Sequence, residues 1–377
     1  MTKPDFCRGT IVGPGINQPD SFPGYTGFVG WESPILLKNG DMLVGFSAGY
    51  WHFSPPTAGM DRSKPNEYTG SGMPNVDAPR GGRAMITRSS DGGKTWSKPV
   101  TLVDTDWDDR HPSFLELPSG VILCTFFKGC LGDYKTDKNV GFHTMITRST
   151  DGGHTWEEPR QVASPFVADE TDGPMVLSKD GSVYMAIDGN ANDGTPWHIA
   201  ILRSTDEGKS WKMLSKVKKD YDMYEPSIAE LPDGSMILIT RPEADLYWSY
   251  DKGKTWTQPV SIGMRLYAPS LIVLKDGTLL CLHGSYGGGG LRAIFSTDGG
   301  HTWVAQNEKY GFLIDNSYGY GKGIQLADGS VFMCYLSSGG HTPEAAANNS
   351  VWSMRLRIRS DHSGIDLLPA PNKVVGK

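Results

Sequence analysis

Short apolar runs alternate with turn residues along the whole chain. Ser235-Met-Ile-Leu-Ile-Thr240 is representative, an apolar stretch of strand-like length closed by residues that favour turns. No helical period of any length is present. An apolar run, a glycine turn usually preceded by Asp, and a second apolar run recur six times, with the turn glycines at Gly40, Gly120, Gly181, Gly234, Gly277 and Gly329. A second pattern, Ser-x-Asp-x-Gly-x-Thr/Ser-Trp, interleaves with the first. It occupies Ser89 to Trp96, Ser149 to Trp156, Ser204 to Trp211, Ser249 to Trp256 and Ser296 to Trp303, at spacings of 60, 55, 45 and 47 residues. A unit of about 40 to 50 residues recurring in a β-rich chain is the signature of propeller blades.

The expected fold is therefore an all-β, six-bladed β-propeller, with four antiparallel strands per blade and residues 1–377 forming one domain. The Asp-Gly turn joins the first two strands, A and B, and the boxed turn joins C and D. The sixth unit, Tyr318 to about Arg359, lacks the box, so residues near Arg8 to Gly13 are expected to supply its missing outer strand and close the ring.

The boxes read as structural. Their Asp can accept hydrogen bonds from backbone N–H groups of its own turn, their Gly permits positive φ, and the closing Trp fills the wedge between sheets. Repetition on five of the six blades is what a structural part shows. If both hairpin turns of each blade lie at one rim, chemistry belongs at the opposite rim, where strands A begin and the B–C loops run. Nine residues before each turn glycine stand Trp31, His111, Asp172, Glu225, Ala268 and Tyr320, whose chemistry changes from blade to blade. The longest B–C loop, about Gly49 to Gly82, carries Tyr50, Trp51, His52, Phe53, Asp77 and Arg80, with Arg83 just beyond. Taken singly, a loop-edge acid is usually a solvated turn residue and a lone Tyr is usually packing; convergence at one axial point is what singles out Glu225 and Tyr320.

Composition narrows the function. Net charge is −6 with no block of Lys or Arg, which argues against nucleic acid or an anionic membrane as the main partner. No stretch reaches the 18 apolar residues or so that insert into a bilayer, and Met1 to Thr10 has no signal-peptide core, so the chain as given reads as soluble and cytoplasmic, or as secreted or periplasmic if a leader has been removed. The five cysteines show no CxxC pair, so free thiols are expected. No His, Asp or Glu pair has metal spacing, the Gly287 to Gly290 run lacks the Lys and helix of a phosphate loop, and neither metal nor cofactor is implied.

With blades, boxes and ring positions in hand, the chain resembles the sialidase superfamily of six-bladed propellers with Asp-box repeats. In that family a catalytic Asp lies twelve residues before the first box Ser, which falls on Asp77; a Glu opens blade four with an Arg sixteen residues later, which falls on Glu225 and Arg241; and the nucleophilic Tyr falls on Tyr320. The resemblance implies a retaining exo-glycosidase acting on the terminal sugar of a glycan. Tyr320 would attack, Glu225 would take its proton, Asp77 would serve as acid and base, and Arg241 would hold the substrate. The chain also departs from the family. A three-arginine clamp on the sialic acid carboxylate begins at an Arg-Ile-Pro stretch, where this chain has Glu32-Ser33-Pro34, and blade five has only Arg265 near Tyr267-Ala268-Pro269. A relocated clamp would use Arg80, Arg83 or Arg110. Two other site readings stay open: Glu32, Asp172 and Glu225 as the carboxylates of an inverting glycosidase for a neutral sugar stacked on Tyr50, Trp51 and Phe53, or a uronate lyase using Tyr320, His111 and an Arg. A carbohydrate-binding propeller without turnover is the alternative from another class.

Overall fold

The computed structural model describes residues 3–22, 24–57, 76–132, 135–137 and 140–373. Six antiparallel sheets are arranged as blades, each running from an innermost strand A outward. Blade one, for example, is built from Phe28–Leu36, Met42–Gly49, Arg83–Ser89 and Val100–Val103. All six A–B turns close alike: the N–H of Gly40, Gly120, Gly181, Gly234, Gly277 and Gly329 donates to the carbonyl three residues back, and their φ of 79–93° is a region in which other residues are strained.

Ring closure is shared by both ends of the chain. In blade six, Val351–Ile358 pairs with Gly9–Val12 and, further along, with Ile365–Leu368. The expected N-terminal strand is present, and a C-terminal one continues the same edge. Arg8 fastens this closure to blade five through two hydrogen bonds to Asp315, at 2.6 and 2.8 Å, while stacking over Trp352.

The core is divided among the wedges between blades, one apolar cluster to each interface. Each box tryptophan joins the cluster facing the preceding blade: Trp96 with Phe332, Trp156 with Phe114, Trp211 with Val162 and Leu123, Trp256 with Tyr247 and Trp303 with Trp248. The boxes also satisfy their own polar groups. In the first, Asp91 accepts from the N–H groups of Lys94 and Thr95 and from the Ser89 and Thr95 hydroxyls. Asp151, Asp206, Asp251 and Asp298 repeat the hydroxyl contacts and the bond from the N–H of the Thr or Ser before the Trp. The boxed turns and the A–B turns thus make one rim, and the starts of the inner strands face the other.

Candidate active site

The inner strands are not regular where they open on this second rim. Blades one, two, four and five each carry a register shift near the start of strand A, at Gly30/Ser33, Arg110/Ser113, Tyr224/Ser227 and Tyr267/Ser270. Inside each irregularity one non-glycine residue adopts left-handed φ: Trp31, His111, Glu225 and Ala268, at 46–57°. These are four of the six ring positions. A bulge lifts a residue out of the ladder and re-aims its side chain, here into the funnel, at a backbone cost on the order of 1–3 kcal/mol each. Three of the N–H groups so displaced find partners on the preceding blade. His111 N donates to Ser47 Oγ, Glu225 N to Asp188 Oδ1 and Ala268 N to Glu225 Oε2, at 3.2, 3.1 and 2.5 Å. In blade three the inner strand is instead interrupted, Ala168–Glu170 and Val176–Leu177 flanking the gap that holds Asp172.

That relay fixes Glu225. With Oε2 held by Ala268, its Oε1 accepts a hydrogen bond from Tyr320 Oη and one of 2.6 Å from Arg241 Nη1. Arg241 Nη1 also lies 3.5 Å from Tyr320 Oη, and its Nε donates to Tyr286 Oη at 2.7 Å. Around Tyr320 stand Trp31, Tyr318 and Tyr267, with centroids 4.8, 5.4 and 5.7 Å away, the Tyr318 ring nearly parallel. Burial first, and Glu225 second, raise the phenol well above its usual range, so it stays protonated until a base removes its proton. Burial likewise raises Glu225, making it a stronger base, although Arg241 opposes the shift.

Carboxyls crowd the same floor. His111 Nδ1 pairs with Asp172; burial brings the imidazole down to about 4, and against its own burial the Asp172 carboxyl is lowered by its hydrogen bond with His111 and by the charges of Lys322 and Arg110. Glu170 lies opposite Asp188 in the sheet register. Burial and the charges of Asp172 and Glu225 push Glu170 up to about 8, and Asp188 is raised well above its ordinary value by burial and by Glu170. Glu32, also buried, is pushed up to about 8, with Lys322 pulling the other way. Among these groups a cavity of about 20 Å³, room for about one water molecule, is bounded by Glu32, His111, Asp172, Tyr320 and Lys322. Glu170, Asp172 and Asp188 bring one oxygen each within 4.8 Å of one another, a hard-donor set that could hold a divalent cation.

The sequence-predicted residues are brought together unevenly. Glu225, Arg241 and Tyr320 meet, and Asp172 and His111 adjoin them through the charges they share with Arg110 and Lys322. Glu32 lines the small cavity together with His111, Asp172, Tyr320 and Lys322. Arg110 is buried beneath the rings of Trp31, Phe53 and Phe127, 3.8 Å from Asp108. Trp51 corrects an expectation: it is 1% exposed, packed in a cluster with Phe28, Trp31 and Tyr50, and has no open face for a sugar. Tyr50 and Phe53 are buried too. Asp77 is exposed, between Val76 and Ala78, whose side chains pack in the cluster that includes Trp31 and Tyr320. Arg80 and Arg83 turn to Asp104. Counting back from turn glycines missed Glu170, Asp188 and Lys322. Counting seven forward from the same glycines, to the ends of strands B, gives Ser47, Asp188 and Arg241 and would have found the second ring of site residues.

Residues 86–333 match a family model described as a BNR repeat-like domain. Among curated proteins the chain is similar to a sialidase of Bacteroides fragilis (strain YCH46), 24% identical over 311 residues covering 68% of this chain and 54% of that one. It is also similar to the xyloglucanase Xgh74A of Acetivibrio thermocellus, 28% identical over 216 residues covering 50% of this chain and 25% of that one. The chain thus spans about half the length of that sialidase and a quarter of the xyloglucanase. A solved structure described as an unknown function protein from Dyadobacter fermentans superposes with a TM-score of 0.68 at 21% identity, over 93% of this chain and 99% of that one, a likeness of fold alone.

Proposed function

The chain belongs to the BNR repeat-like family, with the sialidase-like six-bladed propeller, and from that premise we propose that it is a retaining exo-glycoside hydrolase acting on the terminal sugar of a glycan. The observation that carries the reading is the Tyr320–Glu225–Arg241 unit, a phenol donating to a carboxylate whose other oxygen is pinned by backbone. The distant relatives named sialidase and xyloglucanase, both names of glycoside hydrolases, support the reaction class.

In the first step Tyr320 Oη forms a bond to the anomeric carbon while its proton passes to Glu225. The bond to the leaving oxygen breaks and Asp77 supplies the proton that oxygen needs. In the second step water attacks the same carbon, Asp77 takes the water's proton, and Tyr320 departs and recovers its own from Glu225. Arg241 stabilises the charge on Glu225 and on the phenolic oxygen as it develops. A Tyr free in water titrates near 10; this one is held higher, so attack and proton transfer to Glu225 must be concerted. A second reading gives proton donation to Glu170, favoured by a carboxyl pushed up to about 8, through burial and neighbouring acids, beside Glu225 and Arg241.

Product anomers followed by NMR test the mechanism, with the first-formed sugar keeping the configuration of the substrate and a fluorinated substrate leaving a sugar on Tyr320. Inversion sinks the tyrosine nucleophile, and failure to cleave any glycoside sinks the hydrolase. Glu170→Gln against Asp77→Ala separates the two acids, since only loss of the true donor removes the basic limb of the kcat/KM profile while sparing substrates with good leaving groups.

A further inference from the structure

We propose that the box rim carries a second, non-catalytic site between blades four and five, which holds a neutral sugar unit of a glycan chain. The site does not depend on the hydrolase reading of the funnel.

The repeat breaks at one position of strand C. Opposite the residue three past the A–B turn glycine, four blades have an arginine: Arg88, Arg148, Arg203 and Arg355. Each pairs with an acid of this rim, Asp41, Glu157, Asp180 and Asp328, at 2.6, 3.0, 3.4 and 3.2 Å. Blades four and five place Trp248 and Phe295 there instead. Their A–B turn acids, Asp233 and Asp276, are left to their own turns. Oδ1 of each accepts from the N–H of Ser235 or Thr278, and among the described residues neither acid has a Lys or Arg in ion-pair contact. Lys179 acts on Asp233 through charge alone, its Nζ donating to the Pro232 carbonyl.

Scaffolding accounts for only part of this change. Trp248 Nε1 donates to the Gly299 carbonyl of the next box turn at 2.8 Å, as Arg88 does to Gly152 and Arg148 to Glu207. That contact does not call for Tyr250, which is 70% exposed where the other boxes have Ser90, Thr150, Thr205 and Thr297. Nor does it call for His301, which is exposed and lies flat on the Trp248 ring, with centroids 4.8 Å apart and planes at 12°. The counterparts of His301 are Lys94, His154, Lys209 and Lys254. A residue that departs from the repeat without serving the fold is what marks a site grafted on a regular scaffold.

These departures surround one hollow. Trp248, Tyr250, His301, His362, Asp233 and Asp276 line a space of about 460 Å³, within the ~300–1,000 Å³ of small-ligand sites. Asp233 and Asp276 keep Oδ2 to accept hydrogen bonds, while the Tyr250 hydroxyl and the imidazole N–H groups donate. Sugar hydroxyls do both, and the flat rings of Tyr250 and His301 suit the C–H side of a sugar. A Lys or Arg side chain of a partner brings donors only and leaves the donors of this wall unmatched. A carboxylate sugar would face two acids. The boxed turns and the starts of the inner strands lie at opposite rims, so a sugar held here is not the one presented to Tyr320.

The test uses the full chain. Isothermal titration measures xyloglucan heptasaccharide, arabinohexaose and an asialo biantennary glycan, beside a hexalysine peptide, against wild type, Tyr320→Phe and the double variant Tyr250→Thr/His301→Lys. The double variant restores residues found in other boxes at two exposed positions, and its Tm shows that it folds. At least one neutral glycan should bind wild type and Tyr320→Phe alike, and its Kd should rise at least ~10-fold in the double variant, as the loss of an aromatic contact dictates. Equal binding by wild type and the double variant would place the glycan elsewhere and overturn the inference. Binding of hexalysine without any glycan would make the site one for a cationic partner and overturn it too, as would binding of none of these probes. Turnover at the funnel, present or absent, leaves each of these outcomes unchanged.

Discussion

The two rims of this propeller are made from the same strands and obey opposite rules. At the box rim each turn repeats its neighbour, and Asp91, Asp151, Asp206, Asp251 and Asp298 all spend both oxygens on their own turn. Those hydrogen bonds hold each carboxyl below its ordinary range, in positions with little burial. At the funnel rim no ring residue is repeated, four backbones are left-handed, and burial drives Glu32, Glu170 and Asp188 the other way, toward protonation. A scaffold satisfies its polar groups locally; a site leaves them facing one another across blades, where a ligand can complete them.

The widest separation between the rims is expected in turnover. Tyr320→Phe or Glu225→Gln should each lower kcat/KM about 10³-fold, and the double variant little further, because groups acting as one unit are not additive. Stability should stay within about 1 kcal/mol in Tyr320→Phe, since the ring and its aromatic neighbours remain. Kinetics and denaturant titration of the three variants check this; additive losses would mean that the two residues do not share a proton.

At the other rim the effect should move from rate to stability. Trp211 fills the wedge between blades two and three with Leu123, Ile146 and Val162. Trp211→Ala should cost about 3 to 5 kcal/mol of unfolding free energy through the cavity it leaves, with kcat unchanged in the folded fraction. Ser149→Ala is the gentler probe. It removes an acceptor from Gly153 N–H and a donor to Asp151, both at 2.8 Å, for about 1 kcal/mol. A fall in kcat from either change would show that the box rim and the funnel are coupled and that the contrast between them is too sharp.

The same contrast explains what could be read before the fold was known. The blades were legible because the Asp-Gly turns and boxes recur, and each copy repeats the evidence of the last. Tyr320, Glu225 and Arg241 were legible at the ring and at the end of strand B in blade four, but their meeting depends on a bulge that no local pattern announces. Trp51 misled because an aromatic residue in a long loop looks the same in sequence whether it faces a ligand or fills a core. Glu170 and Asp188 stayed hidden because they become neighbours only through strand pairing across blade three, and an acid next to an acid is informative only once both are known to be buried. Of the outer strand of blade six, the N-terminal half was anticipated; the C-terminal half, Ile365–Leu368, carries no box to mark it.

The smallest effect sharpens the comparison most, because it reads a funnel residue through stability alone. Glu32 is buried, and its carboxyl is raised from 4.5 to about 8, chiefly by burial and only partly relieved by Lys322. The folded protein therefore binds this proton more tightly than the unfolded chain does. Its contribution is fully favourable below about pH 4.5 and is lost progressively as pH rises through about 8. Glu32→Gln keeps the shape and removes the titration, so the variant should match wild type at pH 5 and gain about 1 °C in Tm at pH 8 for each kcal/mol recovered, given the size of the chain. The opposite outcome, a Tm at pH 8 lowered by the substitution, would mean that an ionised Glu32 pairs with Lys322 well enough to offset its burial. The floor would then hold a settled ion pair, as a scaffold does, rather than an acid kept protonated at the edge of a site.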